Sequence, residues 1–219
     1  MNKNLCDYQL IELLDVRSLL SSSYRVNDIF DTIAKKLFNE YHIKKGDSTY
    51  DFLEIEFYYY DKEHPDTITY ERNISKGQWF FHNSGMDISF ESSYEDDFKK
   101  TSDTGNNFFG GILIRSLVKD GNTAIIGPKK CTWELFDTFS AFERKPNDLP
   151  IIEHKSGENL FEIYKTDRWL GAKNDKSKND YEANLQLFRY YIKCPILKNN
   201  KPNLYKAQPW NTGAEEIPL

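Results

Sequence analysis

The chain has 219 residues, enough to bury the core of one domain, and a formal net charge of −5 at pH 7. Aromatic residues make up 15 % of it, which excludes global disorder, and no apolar run approaches the length of a membrane span. The acidic balance argues against a dedicated high-affinity binder of duplex nucleic acid, because that affinity comes from Lys and Arg on phosphates. It does not exclude a local basic face.

The N-terminal residues 1–8 carry no apolar segment of the kind that signal peptides need. The three cysteines, Cys6, Cys131 and Cys194, are widely spaced and odd in number. A disulfide framework is therefore not expected, and the sequence predicts a cytoplasmic protein with no membrane contact.

The hydrophobic pattern predicts helices first and strands after them. A leucine-rich helix is expected over 8–20, and a second one over 28–41, where Phe30, Ile33 and Leu37 share one face. The further strands and helix are expected, in chain order, over 52–60, 67–70, 78–82, 87–90, 112–118, 123–126, 131–139 (helix) and 185–193. Residues 196–219 are expected to form an extended tail.

The strand over 52–60 alternates between two kinds of side chain. Leu53, Ile55, Phe57 and Tyr59 fall on one face, whereas the other face carries Glu54, Glu56, Tyr58 and Tyr60. Arg115 lies within a second apolar strand, where a buried guanidinium requires a carboxylate partner. We expect Glu56 to be that partner.

The chain lacks the common cofactor and nucleophile motifs. It contains no Walker loop, no G-x-G-x-x-G after a strand and no G-x-S-x-G. The histidines at 42, 64, 82 and 154 do not have the spacing of a zinc site. A structural zinc site is therefore not expected, and no motif here indicates a cofactor.

A series of short motifs remains, and its order along the chain is informative. The motifs are Leu53-Glu54-Ile55-Glu56-Phe57-Tyr58, His64, Arg72-Asn73, Trp79-Phe80-Phe81-His82 leading to Gly85-Met86, Ile112-Leu113-Ile114-Arg115-Ser116-Leu117, Gly127-Pro128, Arg168-Trp169-Leu170-Gly171 and Phe188-Arg189-Tyr190-Tyr191-Ile192. This order resembles that of the alkyladenine (3-methyladenine) DNA glycosylase family, the type without a helix-hairpin-helix. The resemblance covers residues 27–195.

The resemblance implies an α+β fold, with one mixed domain over 1–195 around a curved, mainly antiparallel sheet flanked by helices. It also implies an enzyme that hydrolyses the N-glycosidic bond of an extruded purine-type base in base-excision DNA repair. In such a reaction a carboxylate activates water and stabilises positive charge on the sugar, while aromatic side chains stack the flipped base. DNA is the expected partner, with single-stranded DNA, RNA and free nucleotides as alternatives.

Site residues follow from the resemblance position by position. Glu56 matches the water-activating glutamate, and Arg115 matches an arginine that places the catalytic water. Tyr58 and Phe81 match two stacking aromatics, and His64 is nearest to a histidine that contacts base and phosphate. The substrate-binding set also includes His82, Asn83 and Leu113.

The sequence departs from the family at two positions that matter for DNA. Ser84 stands where the family has a tyrosine that intercalates into the duplex, and Glu91 stands near the residue that gates guanine. These departures leave open a second hypothesis, an inactive module on the same fold that binds a nucleotide, a nucleic acid or a protein. A decoy with an acidic, nucleic-acid-like face is a third. The enzyme hypothesis requires Glu56 in a concave site flanked by Tyr58 and Phe81.

Overall fold

The computed structural model describes residues 3–66, 68–95, 105–137, 142, 149–157, 160–166, 168, 188–193 and 215–217. They form an α+β fold in which a strongly curled antiparallel sheet, a half-barrel, is accompanied by four helices. The predicted fold class is therefore confirmed.

The helices lie in the first half of the chain, apart from one. A 3₁₀ turn at Leu5–Asp7 precedes α1 (Leu10–Leu13), α2 (Val16–Ser21) and α3 (Val26–Asn39), and α4 (Pro128–Leu135) follows much later. The helix expected over 8–20 is divided, because the Asp15 side chain accepts from the Ser18 backbone N–H and starts α2 anew. Helix α3 ends two residues earlier than expected, and Tyr41 begins a strand.

Ten strands are found in the described residues. They are β1 (Tyr41–Lys45), β2 (Ser48–Tyr60), β3 (Trp79–His82), β4 (Gly85–Ser89), β5 (Phe109–Lys119), β6 (Thr123–Ile126), β7 (Ile151–His154), β8 (Ile163–Thr166), β9 (Arg189–Ile192) and β10 (Glu215–Ile217). The strand expected over 67–70 is not formed by its described residues 68–70, which are turn and coil. Strands β1, β7, β8 and β10 were not predicted.

All ten strands belong to one sheet. Its main path runs β10-β8-β9-β2-β5-β4-β3, while β1 joins β2 to β7, and β6 extends the sheet beside β5. In the β5–β6 turn Asp120 and Gly121 both have positive φ, and Asn122 N–H donates to Lys119 O. Positive φ at both central residues matches the twist of a hairpin, as the Asp-Gly pair predicts.

The two faces of the sheet differ in chemistry. The helix-covered face presents Ile55, Phe57 and Ile112, and α3 packs on it through Phe30, whose ring stacks on that of Phe57 at 4.4 Å. We call the other face the polar face. It carries Glu54, Glu56, Tyr58, Leu113 and Asp87 near the centre of the sheet.

Parts of the predicted organisation fall outside the described residues. The extended tail expected over 196–219 is described only at β10, which pairs with β8 in the main sheet. Trp169-Leu170-Gly171 of the late motif also lies outside these residues. Within the described ranges, no helix is long and apolar enough to cross a bilayer.

Candidate functional site

The strand register brings five polar-face residues into one row across the sheet. Glu56 pairs with Arg189 on one side and Leu113 on the other, Leu113 pairs with Asp87, and Asp87 pairs with Phe80. Directly paired residues on antiparallel strands project to the same face. The row therefore places Glu56 and Asp87 two strands apart, with Leu113 between them.

Glu56 lies at the centre of a hydrogen-bonded group. Its Oε2 accepts from the Tyr58 hydroxyl at 2.7 Å and from Arg115 Nη1 at 3.1 Å, and its Oε1 lies 3.8 Å from Arg189 Nε. The carboxylate is completely buried. The expected association of Glu56 with Arg115 is thus present, and the burial shows that Glu56 is not an ordinary solvent-facing strand residue.

Glu54 holds the two arginines of this group together. Its Oε1 accepts from Arg115 Nε at 2.8 Å and is ion-paired to Arg189, and its Oε2 accepts from the Ser116 hydroxyl at 3.1 Å. A register irregularity at Leu53 and Glu54 aligns Glu54 with Ser116 and leaves Arg115 unpaired in the ladder. This bulge turns the Arg115 side chain toward both glutamates.

The charges of this group compensate one another. Two carboxylates, Glu54 and Glu56, face two guanidinium groups, Arg115 and Arg189, within a buried space. Burial alone lowers the pKa of Arg115, but Glu56 and Glu54 outweigh it, and the net pKa of Arg115 is raised. Arg115 therefore stays a cation beside the two carboxylates.

Tyr58 is held from two directions. Its hydroxyl donates to Glu56, and the Arg168 guanidinium carbon lies 4.8 Å from the centre of its ring, while Arg168 itself is ion-paired to Asp66. Burial, together with the negative charge of Glu56, raises the pKa of Tyr58 well above its usual value. The phenol is consequently a neutral hydrogen-bond donor to the carboxylate at physiological pH.

A second polar cluster lies at the β3–β4 hairpin. Asp87 accepts from Arg72 Nη2 at 2.6 Å and contacts His82 Nε2 at 2.9 Å. The Ser84 backbone N–H donates to His82 Nδ1 at 3.2 Å, so Nδ1 is the unprotonated nitrogen and Nε2–H donates to Asp87. Arg72 also lies 3.9 Å from the Phe80 ring centre.

Phe81 is not brought to Glu56, contrary to expectation. It pairs with Met86, one position out of step with the Phe80–Asp87 pair, so it projects to the face opposite Glu56. Its ring is 51 % exposed and contacts Phe136 at 4.7 Å. The expectation that Phe81 and Tyr58 flank Glu56 together is corrected by this register.

His64 also lies away from the Glu56 group. Its Nδ1 is 2.9 Å from Asp61 Oδ1, its backbone N–H donates to the same carboxylate at 2.7 Å, and its ring approaches Tyr59 on the helix-covered face. The hydrogen bond and charge of Asp61 outweigh burial and raise the pKa of His64. In this structure His64 closes a turn after β2.

The remaining predicted residues lie at or near the polar face. Leu113 lies between the two clusters and is buried, His82 belongs to the second cluster, and Asn83 is exposed at the hairpin tip beside Ser84. Glu91, near the expected gating position, accepts from the Lys76 backbone N–H at 3.1 Å.

Several residues of the site were given no role from the sequence, although Glu54, Arg72, Arg168 and Arg189 stand in its motifs. Glu54, Arg189, Arg168, Arg72 and Asp87 all belong to the two clusters. The signal for the first two was available, since Glu54 alternates with Glu56 and Arg189 stands inside an apolar strand like Arg115. Asp87 gave no such signal, because its pairing with Arg72 depends on the hairpin register.

Among the described side chains, no group of three His, Cys, Asp or Glu converges as a metal site. The chain matches no protein-family model, and no curated protein or solved structure is significantly similar to it. The glycosylase resemblance therefore rests on the order of the motifs.

Proposed function

We propose that the protein is an N-glycosidase that hydrolyses the bond between a purine-type base and its sugar, with Glu56 as the general base. The observation that carries the proposal is the arrangement at Glu56 Oε2, where Tyr58 O–H and Arg115 Nη1 donate at 2.7 and 3.1 Å. Two fixed donors hold the carboxylate in one orientation. Arg115 places a positive charge beside this carboxylate.

Hydrolysis of an N-glycosidic bond places two requirements on this carboxylate. It must accept a proton from water, and its negative charge must face the positive charge that develops on the sugar as the glycosidic bond breaks. Glu56 supplies both in a site where burial strengthens electrostatic interactions. Arg115 and Tyr58 position the carboxylate, and Glu54 in turn positions Arg115.

A base-release assay tests the proposal. The purified protein is incubated with DNA carrying alkylated or deaminated purines, single- and double-stranded, with RNA and with purine nucleotides, and released base is detected by mass. Release should fall by about 10²-fold or more in Glu56→Gln. Glu153→Gln is the matched control. It changes a carboxylate on the peripheral strand β7 that is hydrogen-bonded to His42, and it should keep full activity.

The complete burial of Glu56 and the opposite orientation of Phe81 favour a second candidate, a module that binds nucleic acid without cleaving it. In that case the Glu54–Glu56–Arg115–Arg189 group acts as a buried structural network. Binding to one of the substrates with no release by the unmodified protein would support this candidate and reject the hydrolase.

A further inference from the structure

We propose that Tyr70 is the aromatic platform on which a nucleobase stacks at this site. The inference rests on the proposed function only for the class of ligand, a nucleobase held on the polar face. It assigns the stacking role to a residue that the motif comparison did not indicate. It removes that role from Phe81.

Tyr70 is placed for this role by the second cluster. Its ring lies 4.5 Å from the His82 ring, and His82 is fixed by Asp87 on one nitrogen and by the Ser84 N–H on the other. The His82 ring therefore packs against the Tyr70 ring, at an interplanar angle of 34°. Tyr70 is still 43 % exposed, so its ring remains accessible to a planar ligand.

The floor between Tyr70 and Glu56 consists of buried residues on strands β2, β5 and β4. Leu113 lies between Glu56 and Asp87 in the row, and Gly111 lies between Tyr58 and Ser89 in the next row along β5. Two strand spacings separate β2 from β4, about 10 Å. Leu113 is 3 % exposed and Glu56 is fully buried, so the surface open to a ligand at this edge of the polar face is the Tyr70 ring.

Two buried polar atoms along this floor point to a ligand. Arg72 Nη1 and Ser89 Oγ have no hydrogen-bond partner within the part of the chain that the structure describes. Arg72 packs directly over Gly111, where a Cβ would lie 2.7 Å from Nη1. Buried donors are normally satisfied, and a heterocyclic base carries acceptors that can pair with them.

The opposite side of the hairpin provides a matched control. Phe81 is an exposed aromatic of similar size, 51 % against 43 % for Tyr70, and it projects to the other face of the same hairpin. Removing either ring exposes little core. Both alanine variants are therefore expected to fold and to melt within a few degrees of the parent protein.

The test measures binding without turnover, in the Glu56→Gln background. The probe is a short single-stranded oligonucleotide carrying one 2-aminopurine, whose fluorescence reports both affinity and stacking. Tyr70→Ala should weaken binding about 10-fold and abolish the fluorescence change on binding, while Tyr70→Phe retains both. Phe81→Ala should bind within about twofold of the parent.

A loss of affinity in Phe81→Ala with none in Tyr70→Ala would overturn the inference, as would the absence of probe binding. Failure of the proposed function is a separate result, namely base release that does not depend on Glu56. Tyr70-dependent binding without release would uphold the inference and reject the hydrolase.

Discussion

Arg115 Nη1 donates to Glu56 Oε2 at 3.1 Å although 59 residues separate them in the sequence. The same guanidinium donates through Nε to Glu54. A single planar group thus holds two carboxylates in fixed positions, which a point charge cannot do. Through this guanidinium, strand β5 fixes the orientation of the β2 carboxylate that we propose as the general base.

The substitution Arg115→Lys should distinguish the effect of the positive charge at Arg115 from the effect of its hydrogen-bonding geometry. Lysine keeps the positive charge but cannot reach both glutamates with a rigid fork, so Glu56 loses its fixed orientation. We expect base release to fall about 10-fold or more in kcat, with a smaller change in KM. Steady-state kinetics measures this. Unchanged kcat in Arg115→Lys would show that the fork does not position Glu56.

The His64–Asp61 pair should give a pH-dependent contribution to stability. The hydrogen bond that Asp61 accepts from His64 raises the pKa of His64 above 6.5, its usual value, so protonation is more favourable in the folded protein. The stabilisation is fully present below pH 6.5 and is lost as the pH rises through the raised pKa of the folded state. Asp61→Asn should return the NMR titration midpoint of His64 toward 6.5; a midpoint at or below 6.5 in the parent protein would contradict the pairing.

The packing of α4 can be checked by thiol reactivity. Cys131 is buried, its Sγ contacts Ile125 O at 3.6 Å, and burial raises the pKa of its thiol. Cys6 is exposed. Brief treatment with iodoacetamide followed by peptide mass mapping should label Cys6 and leave Cys131 unmodified unless denaturant is added. Rapid labelling of Cys131 in the native protein would place α4 away from the sheet.

The core beneath the site depends on Phe30 of α3. Its ring stacks on Phe57 at 4.4 Å and meets Phe188 at 4.9 Å, so it links the helix to strand β2 and to the residue before β9. Phe30→Ala should lower the free energy of unfolding by about 3–5 kcal/mol. Urea denaturation measures this, with Lys35→Ala on the same helix as a control near zero. A loss below about 1 kcal/mol would mean that the ring is not packed as described.

Periodicity predicted the parts of the fold that local pattern determines. Helix α3 and the central strands β2 and β5 follow from their apolar spacing, and the need of a buried arginine for a carboxylate led to the Glu56–Arg115 pair. Strand β1, which is short, was missed although it pairs with the next strand, β2, across a two-residue turn. Strand β8 was missed because it is short and pairs only with the distant strands β9 and β10, so its formation is decided by the sheet, which no local window contains.

The candidate site was less predictable than the fold. The side of the sheet to which Phe81 projects depends on its pairing with Met86, and a shift of one residue reverses it. His64 follows strand β2 closely enough to suggest a site residue. Its imidazole is instead hydrogen-bonded to Asp61, three residues earlier. The Arg72–Asp87–His82 cluster joins segments whose contact arises only when β3 and β4 pair.

The most direct test of Glu56 as the general base is base release by the unmodified protein and by Glu56→Gln, with circular dichroism to confirm that both are folded. We predict release of a purine-type base from at least one substrate, and a loss of release by about 10²-fold or more in the folded variant. Equal release by the two proteins, or none by the unmodified protein from any substrate, would contradict the assignment of Glu56 as the general base.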